Sequence, residues 1–380
     1  MNRLNPWFFV VATLSAPAWA QSEEVKALES DMEAAQEKTQ AYEEIEPAPA
    51  GAAQTQTMAT IRAKEEAEKK PWAVMVILDH AVGSGSFISD STLRASRAYV
   101  AQSWDIRPSY TFPVADHKLK LGGRFVVEYE YTTPDTNPAR RFKPADSRLY
   151  LSDAELYVEQ LTGITFNAAA TLFLPTSYES INVNKRWAGL RATAGASRSI
   201  GPVDLEYALA ATKYLNSDKY RTVYSDVLRD GEGELSGTSE PGTYLGGPAN
   251  TSFDIINSFG VTYNVTETLS VAYSLLIWNT FAYRDDAVNS EDELASVNAD
   301  AGRGRTDMLW PSLEVAYRLD DVVKDILPFK LTVAGGITAL HPAQTADNQG
   351  ILWPVFYQAF GQNRAANNYG SIYFDLIGTL

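Results

Sequence analysis

The sequence predicts an all-β chain: a transmembrane antiparallel up-and-down β-barrel of about 12 strands, preceded by a partly helical N-terminal extension. Three observations predict it. Lys118–Tyr131 alternates strictly, with Leu119, Leu121, Gly123, Phe125, Val127, Tyr129 and Tyr131 on one face. Lys118, Lys120, Gly122, Arg124, Val126, Glu128 and Glu130 take the other. Runs of this kind are long: soluble strands reach about 5–6 residues, whereas a tilted membrane strand needs about 9–11. The connections between runs alternate between short and long, as in a barrel with turns on one rim and loops on the other.

The chain has 380 residues, a net charge of −15 and no cysteine. Its length and apolar content suffice for a core. Outside the N-terminus no run of 18 apolar residues offers a transmembrane helix. Lack of cysteine excludes disulfides and thiol chemistry, and the acidic balance argues against nucleic acid.

Residues 1–20 read as a secretory signal. Arg3 supplies the positive end, Trp7–Ala16 the apolar segment, and Ala18-Trp19-Ala20 the cleavage pattern. Residues 21–71 form an acidic periplasmic extension. Val25, Leu28, Met32, Ala35 and Tyr42 make a heptad-like stripe, Glu46–Gln56 a linker, and Met58–Lys70 a second helix-permissive stretch. Four readings of it stand side by side: a solvated tail, a short oligomerising coil, a tether to a periplasmic partner through residues 21–70, or a plug.

Residues 72–380 are the barrel. Trp72–Leu78 is apolar on both faces, so its inward face is left open. Tyr99–Phe112 sets Trp104, Ile106, Tyr110 and Phe112 against Ser103, Asp105, Arg107 and Ser109, and a turn at Val114–His117 leads into Lys118–Tyr131. Tyr150–Leu161 reads with Ala154, Leu156 and Val158 outside and Asp153, Glu155 and Glu159 inside. Gly163 suits a left-handed turn into Ile164–Leu174. The strands Trp187–Ser199, Val203–Tyr214, Phe253–Val265, Leu269–Tyr283, Leu309–Leu319, Phe329–Leu340 and Tyr369–Leu380 follow. Pro108 and Pro311 remove ladder donors and predict local bulges. The even count places both termini on the short-turn, periplasmic side.

With this pattern the chain resembles the outer-membrane β-barrels of Gram-negative bacteria over Trp72–Leu380. The last strand, YGSIYFDLIGTL, is similar to the C-terminal assembly signal of that class, although it ends in Leu380 rather than an aromatic. The resemblance implies residence in the cell outer membrane, contact with its lipid, and insertion by the barrel assembly machinery. Phe173–Ser177, FLPTS, is weakly similar to small-solute transporters of aromatic-degradation pathways, too short a match to name a substrate.

The alternation turns Arg107, Lys118, Lys120, Arg124, Glu128, Glu130, Asp153, Glu155, Glu159, Asp204, Glu206, Asp254, Glu314, Arg318, Lys330 and Asp375 inward. Lys120 is expected opposite Glu159 and Arg124 opposite Glu155, pairs that stabilise a sheet by roughly 0.2–1 kcal/mol each. Two readings follow: a hydrated, mildly cation-preferring channel for a small solute, or a closed lumen in a structural or partner-binding barrel. In His341–Asn368, the cluster Ile351, Trp353, Phe356, Tyr357 and Phe360 is apolar where a loop should be polar, and is expected to fold into the mouth as a constriction. Catalysis is not expected. Asp79, His80 and His341 form a weak acid–base set with no nucleophile motif beside it, and His117 lies in a turn. The acidic loop Arg284–Arg305 lacks the order of a calcium loop, so no metal and no cofactor is assigned.

Overall fold

The computed structural model describes residues 71–83, 99–132, 142–224, 243–283, 304–319, 329–343 and 369–380. The signal, nearly all of the extension, the acidic loop 284–303 and the constriction cluster Ile351–Phe360 lie outside the described residues. Among the described residues fifteen strands follow one another. They are β1 (Trp72–Gly83), β2 (Val100–Val114), β3 (His117–Glu130), β4 (Phe142–Pro144), β5 (Ser147–Val158), β6 (Thr165–Leu174), β7 (Arg186–Ile200) and β8 (Val203–Asn216). Next come β9 (Tyr220–Tyr224), β10 (Thr243–Ala249), β11 (Thr251–Asn264), β12 (Leu269–Ala282), β13 (Arg305–Arg318), β14 (Lys330–Pro342) and β15 (Tyr369–Thr379).

One antiparallel sheet takes in all but β9 and β10, which pair with each other. Of its thirteen strands, the three-residue β4 only borders β3; the other twelve close into a ring because β1 pairs with both β2 and β15. Each strand bonds its sequence neighbour around the ring, so the barrel has no open edge. Turns on one rim are tight. Ala115 (φ 51°) bends β2 into β3, Gly201 (φ 58°) bends β7 into β8, and Gly163 takes the left-handed φ of 69° expected of it.

The side-chain period is two and the ring is closed, so each strand offers one face outward and one inward. The outward face is apolar and bare. Ile106, Leu121, Phe125, Leu149, Leu190, Leu209, Phe259, Val315 and Phe374 are all exposed, Leu190 by 53%. Such a surface far exceeds the few hundred Å² of apolar patch a soluble monomer tolerates, and a bilayer satisfies it. Outward aromatics cluster toward the two ends: Tyr110, Tyr157, Tyr207, Tyr263 and Tyr317 near the tight turns, Tyr131, Trp187 and Phe253 near the loops. An outer groove of about 580 Å³ is walled by Leu149, Leu151 and Leu190 around Ala170, Ala192 and Ala211. No helix among the described residues is long and apolar enough to cross a membrane.

Two expectations are corrected. Neither proline makes a bulge: the β2–β3 register is the same at Ile106–Phe125 and Ser109–Gly122, and the β12–β13 and β13–β14 registers run through Pro311 unshifted. Each proline removes one ladder donor without inserting a residue. The phase of β5 is also different. Leu121 faces Leu151, Gly122 faces Tyr150 and Arg124 faces Arg148, which turns Arg148, Tyr150 and Ser152 inward with Arg124. The apolar phase of β5 changes at Asp153–Ala154, and the strand accommodates this with an irregularity between Asp153 and Tyr157.

Candidate functional site

The inner wall is charged, and its residues fall into separate groups around the ring. At the closing seam Asp79 of β1 is the cross-strand partner of Asp375 of β15, and the Ser103 hydroxyl donates to Asp79 Oδ2 at 3.4 Å. On β13 Glu314 accepts from Tyr373 Oη at 3.0 Å, with Ser312 Oγ 3.2 Å from the same phenol. Near the loop end Glu128 and Glu130 share Lys143, at 4.0 and 2.6 Å. Beside them Asp105 accepts from Arg107 Nη2 at 2.5 Å and from Arg124 Nη2 at 2.7 Å.

The next strands carry a different group. Arg107 and Arg124 share one row, Arg124 is opposed to Arg148, Arg148 to Phe173, Phe173 to Gly189, and Gly189 to Tyr214. Three guanidiniums therefore stand side by side on β2, β3 and β5. Opposed like charges normally weaken a sheet. Beyond them lies the Phe173 ring, with Arg148 Cζ and Arg191 Cζ each 4.8 Å from its centroid. A Cβ at position 189 would come within 3.2 Å of Phe173 Cβ and 3.1 Å of the Tyr214 ring, so glycine there leaves the two aromatics their space. Arg191 Nε donates to Thr212 Oγ1 at 2.7 Å, while its Nη2 stands 3.9 Å from Asp254 Oδ1. Asp254, fully buried, accepts from Tyr214 Oη at 2.7 Å and Trp278 Nε1 at 3.3 Å.

The two sides of the interior are packed differently. Inward residues of β1, β2 and β13–β15, among them Met75, Ile77, Asp105, Trp310, Glu314, Ala334, Tyr373 and Ile377, are buried. Met75, Ile77, Ala316, Ala334 and Ile377 make an apolar cluster inside the ring. Across from them Arg148, Tyr150, Ser152, Ala169, Thr171, Arg191, Thr193, Ala208, Ser258 and Leu276 remain partly exposed. The inner wall is buried over much of the ring, β3, β8 and β11 included, and partly exposed chiefly along β5–β7 and part of β12. A closed antiparallel ring with an apolar outer face is the architecture of the Gram-negative outer-membrane β-barrels.

The remaining candidates are placed as follows. Asp204 accepts from Ser199 Oγ at 2.6 Å and Asn264 Nδ2 at 2.8 Å at the turn rim. Glu206 and Arg318 are partly buried, and Lys330 is exposed opposite Thr379. Lys118 is exposed, and Lys120 faces Ser152. The expected pairs Lys120–Glu159 and Arg124–Glu155 do not form. Asp153 turns to His117 Nδ1 at 2.8 Å, and Glu155, exposed, uses its backbone N–H to bond Asp153. Glu159 caps its own turn, accepting from the Leu161 and Thr162 N–H groups and the Thr162 hydroxyl. Those bonds hold its carboxyl below the usual range. Asp79 and His80 point to opposite faces; His80 is level with Phe374, itself level with Gly335. His341 lies six residues farther along β14, about 20 Å away at the strand rise of about 3.3 Å per residue.

Sequence reasoning did not single out Arg148, Tyr150, Phe173 and Arg191 as site residues. The alternation of β6 already turns Phe173 inward, but their grouping depends on the register between strands. The rest of the FLPTS stretch closes the rim: Thr176 Oγ1 donates to Ala145 O at 2.8 Å, and the Ser177 N–H donates to Asp146 Oδ1 at 3.0 Å.

No family model matches the chain, and no curated protein matches it. Solved structures similar in fold include an outer membrane channel from Pseudomonas putida F1, at 11% identity and TM-score 0.46 over 89% of this chain and 97% of that one. An anion-selective porin from Comamonas acidovorans aligns at 11% identity and TM-score 0.31, over 81% and 98% of the two chains. The transport unit of the autotransporter AIDA-I from Escherichia coli aligns at 10% identity and TM-score 0.35, over 82% and 91%. Identities this low speak to fold alone.

Proposed function

We propose that the chain is a non-enzymatic channel through which a small solute crosses the outer membrane. The observation that carries this reading is the uneven interior: the packed half at β1, β2 and β13–β15 is opposed by a polar stretch at β5–β7 that stays partly exposed. A barrel serving only as a scaffold gains nothing from leaving hydroxyls and guanidiniums in reach of water on one side. The packed half narrows the passage and fixes where a solute runs. The periplasmic placement of both ends, contact with outer-membrane lipid, and insertion by the assembly machinery through β15 belong to the same reading.

The test is conductance of the purified chain in a planar bilayer, with and without residues 21–70. Discrete single-channel steps are expected, and replacing Thr171 by Trp on the partly exposed wall should reduce them. A chain that inserts and folds yet carries no current is a closed, structural or partner-binding barrel instead.

A further inference from the structure

We propose that the outer groove over β5–β8 is a binding site for one lipid of the outer leaflet, with an acyl chain on its alanine floor and the lipid phosphate on Lys213. The inference rests on the membrane orientation in the channel reading, loop rim outward, and adds to it a specific lipid partner.

Three features carry it. The first is shape. Ala170, Ala192 and Ala211 are consecutive cross-strand partners on β6, β7 and β8, and Leu151 and Ile255 end that row on either side. Three small side chains between taller ones sink the outer face and leave about 580 Å³, within the roughly 300–1,000 Å³ of small-ligand sites. The second is charge. The next row toward the loops runs through Leu190, Lys213 and Phe253, and all three line the groove. Lys213 Nζ donates to Ser252 Oγ at 2.6 Å and lies 5.1 Å from the centre of the Tyr283 ring. Both contacts are neutral, and among the described residues no carboxylate pairs with it. An ammonium has three donors, and a phosphate would take the others as charge-assisted bonds. The third is height. Lys213 stands ten residues along β8 from Val203 at the tight turn. At about 3.3 Å per residue and a tilt of about 40° that is about 25 Å across the membrane, the height of the apolar band. Lys213 thus meets the outer headgroups, at the end where Trp187 and Phe253 stand exposed. Lipid tails are as apolar as leucine, so leaving water contributes nothing here; dispersion in the groove and the ion pair at its border hold the lipid. The groove also backs the partly exposed inner stretch of β5–β7, so a seated chain supports from outside a wall that is little packed from inside.

The experiment is native mass spectrometry of the purified full chain, released from neutral detergent micelles that carry either dioleoyl phosphatidic acid or dioleoylglycerol. The two probes share their acyl chains and differ in the phosphate. The parent is expected to retain one phosphatidic acid at concentrations where dioleoylglycerol is lost. Lys213→Gln should weaken that retention by about tenfold, the size of one lost charge-assisted bond, while Lys213→Arg keeps it. Ala192→Leu should weaken it as well, by filling the floor with the charge intact. Val315→Leu, on the bare outer face of β13, should leave it unchanged. All four variants should keep folded gel mobility, since each side chain lies on the outer face. Equal retention of the two probes by the parent, or retention of phosphatidic acid undiminished in either Lys213→Gln or Ala192→Leu, overturns the site and leaves the channel standing. The measurement needs no current, so a chain that does not conduct but shows the expected preference loses the channel reading and keeps the lipid site.

Discussion

Asp105 holds two guanidiniums from two strands with one carboxylate. Removing it strands Arg107 and Arg124 beside Arg148, whereas removing Arg124 leaves Asp105 paired with Arg107. Breaking a buried pair by deleting one partner costs about 3–5 kcal/mol. Asp105→Asn is therefore expected to destabilise the barrel toward that range and clearly more than Arg124→Gln, as read by thermal unfolding in detergent; the reverse order would remove Asp105 as the hub. At the seam Asp79 and Asp375 are directly opposed and hydrogen-bonded to each other, which needs a proton held between them. An amide at position 375 can donate in place of that proton, so Asp375→Asn should leave the thermal midpoint little changed while Asp375→Ala lowers it; equal losses in the two variants would remove the shared bond as the reason. At the turn rim, Glu159 works only when ionised. Its carboxyl titrates below its unfolded value, so its contribution is present above the ordinary carboxylate range and is lost as pH falls through the lowered value. Glu159→Gln should flatten that part of the acid-stability profile.

At the scale of the strand, two neighbouring glycines of β14 separate packing from propensity. A Cβ at Gly336 would overlap the Leu313 carbonyl oxygen and the Tyr373 phenol, whereas one at Gly335 meets only the Tyr373 carbonyl at 3.6 Å. Gly336→Ala should cost about 1–3 kcal/mol through overpacking, and Gly335→Ala much less, in the same unfolding measurement. The strands show what a sequence carries by itself. In β2, β3, β8, β11 and β13 one face is apolar and the other polar, so alternation alone separates the faces and gave the placements of Arg107, Arg124, Glu128, Asp254 and Glu314. It said nothing of β1, because its inward Met75 and Ile77 are as apolar as its outward face; they pack inside the ring instead of meeting water. It misled in β5, where the hydropathy phase changes along the strand. The arginine row was invisible for a related reason. Arg107, Arg124 and Arg148 are far apart in sequence, and only pairing across three strands brings them level.

For the whole molecule, the two rims assign direction. A short epitope inserted between Ile181 and Asn182, in the connection from β6 to β7, should be reached by antibody on intact cells. The same epitope at Asp116, between β2 and β3, should not; exchanged labelling would invert the barrel. The apolar knot inside the ring has a further consequence, one of timing. Met75 and Ile77 come from the first strand, Ile377 from the last, and Ala316 and Ala334 from just before it. Nearly the whole barrel thus lies between the two halves of this contact, and joining them requires closing the longest loop available to it, an entropic cost met only at the end. Earlier hairpins can form side by side without it. The knot therefore acts as a latch that rewards completion alone: a chain stopped before β15 keeps most of its sheet but never gains the apolar contact that joins its first strand to its last.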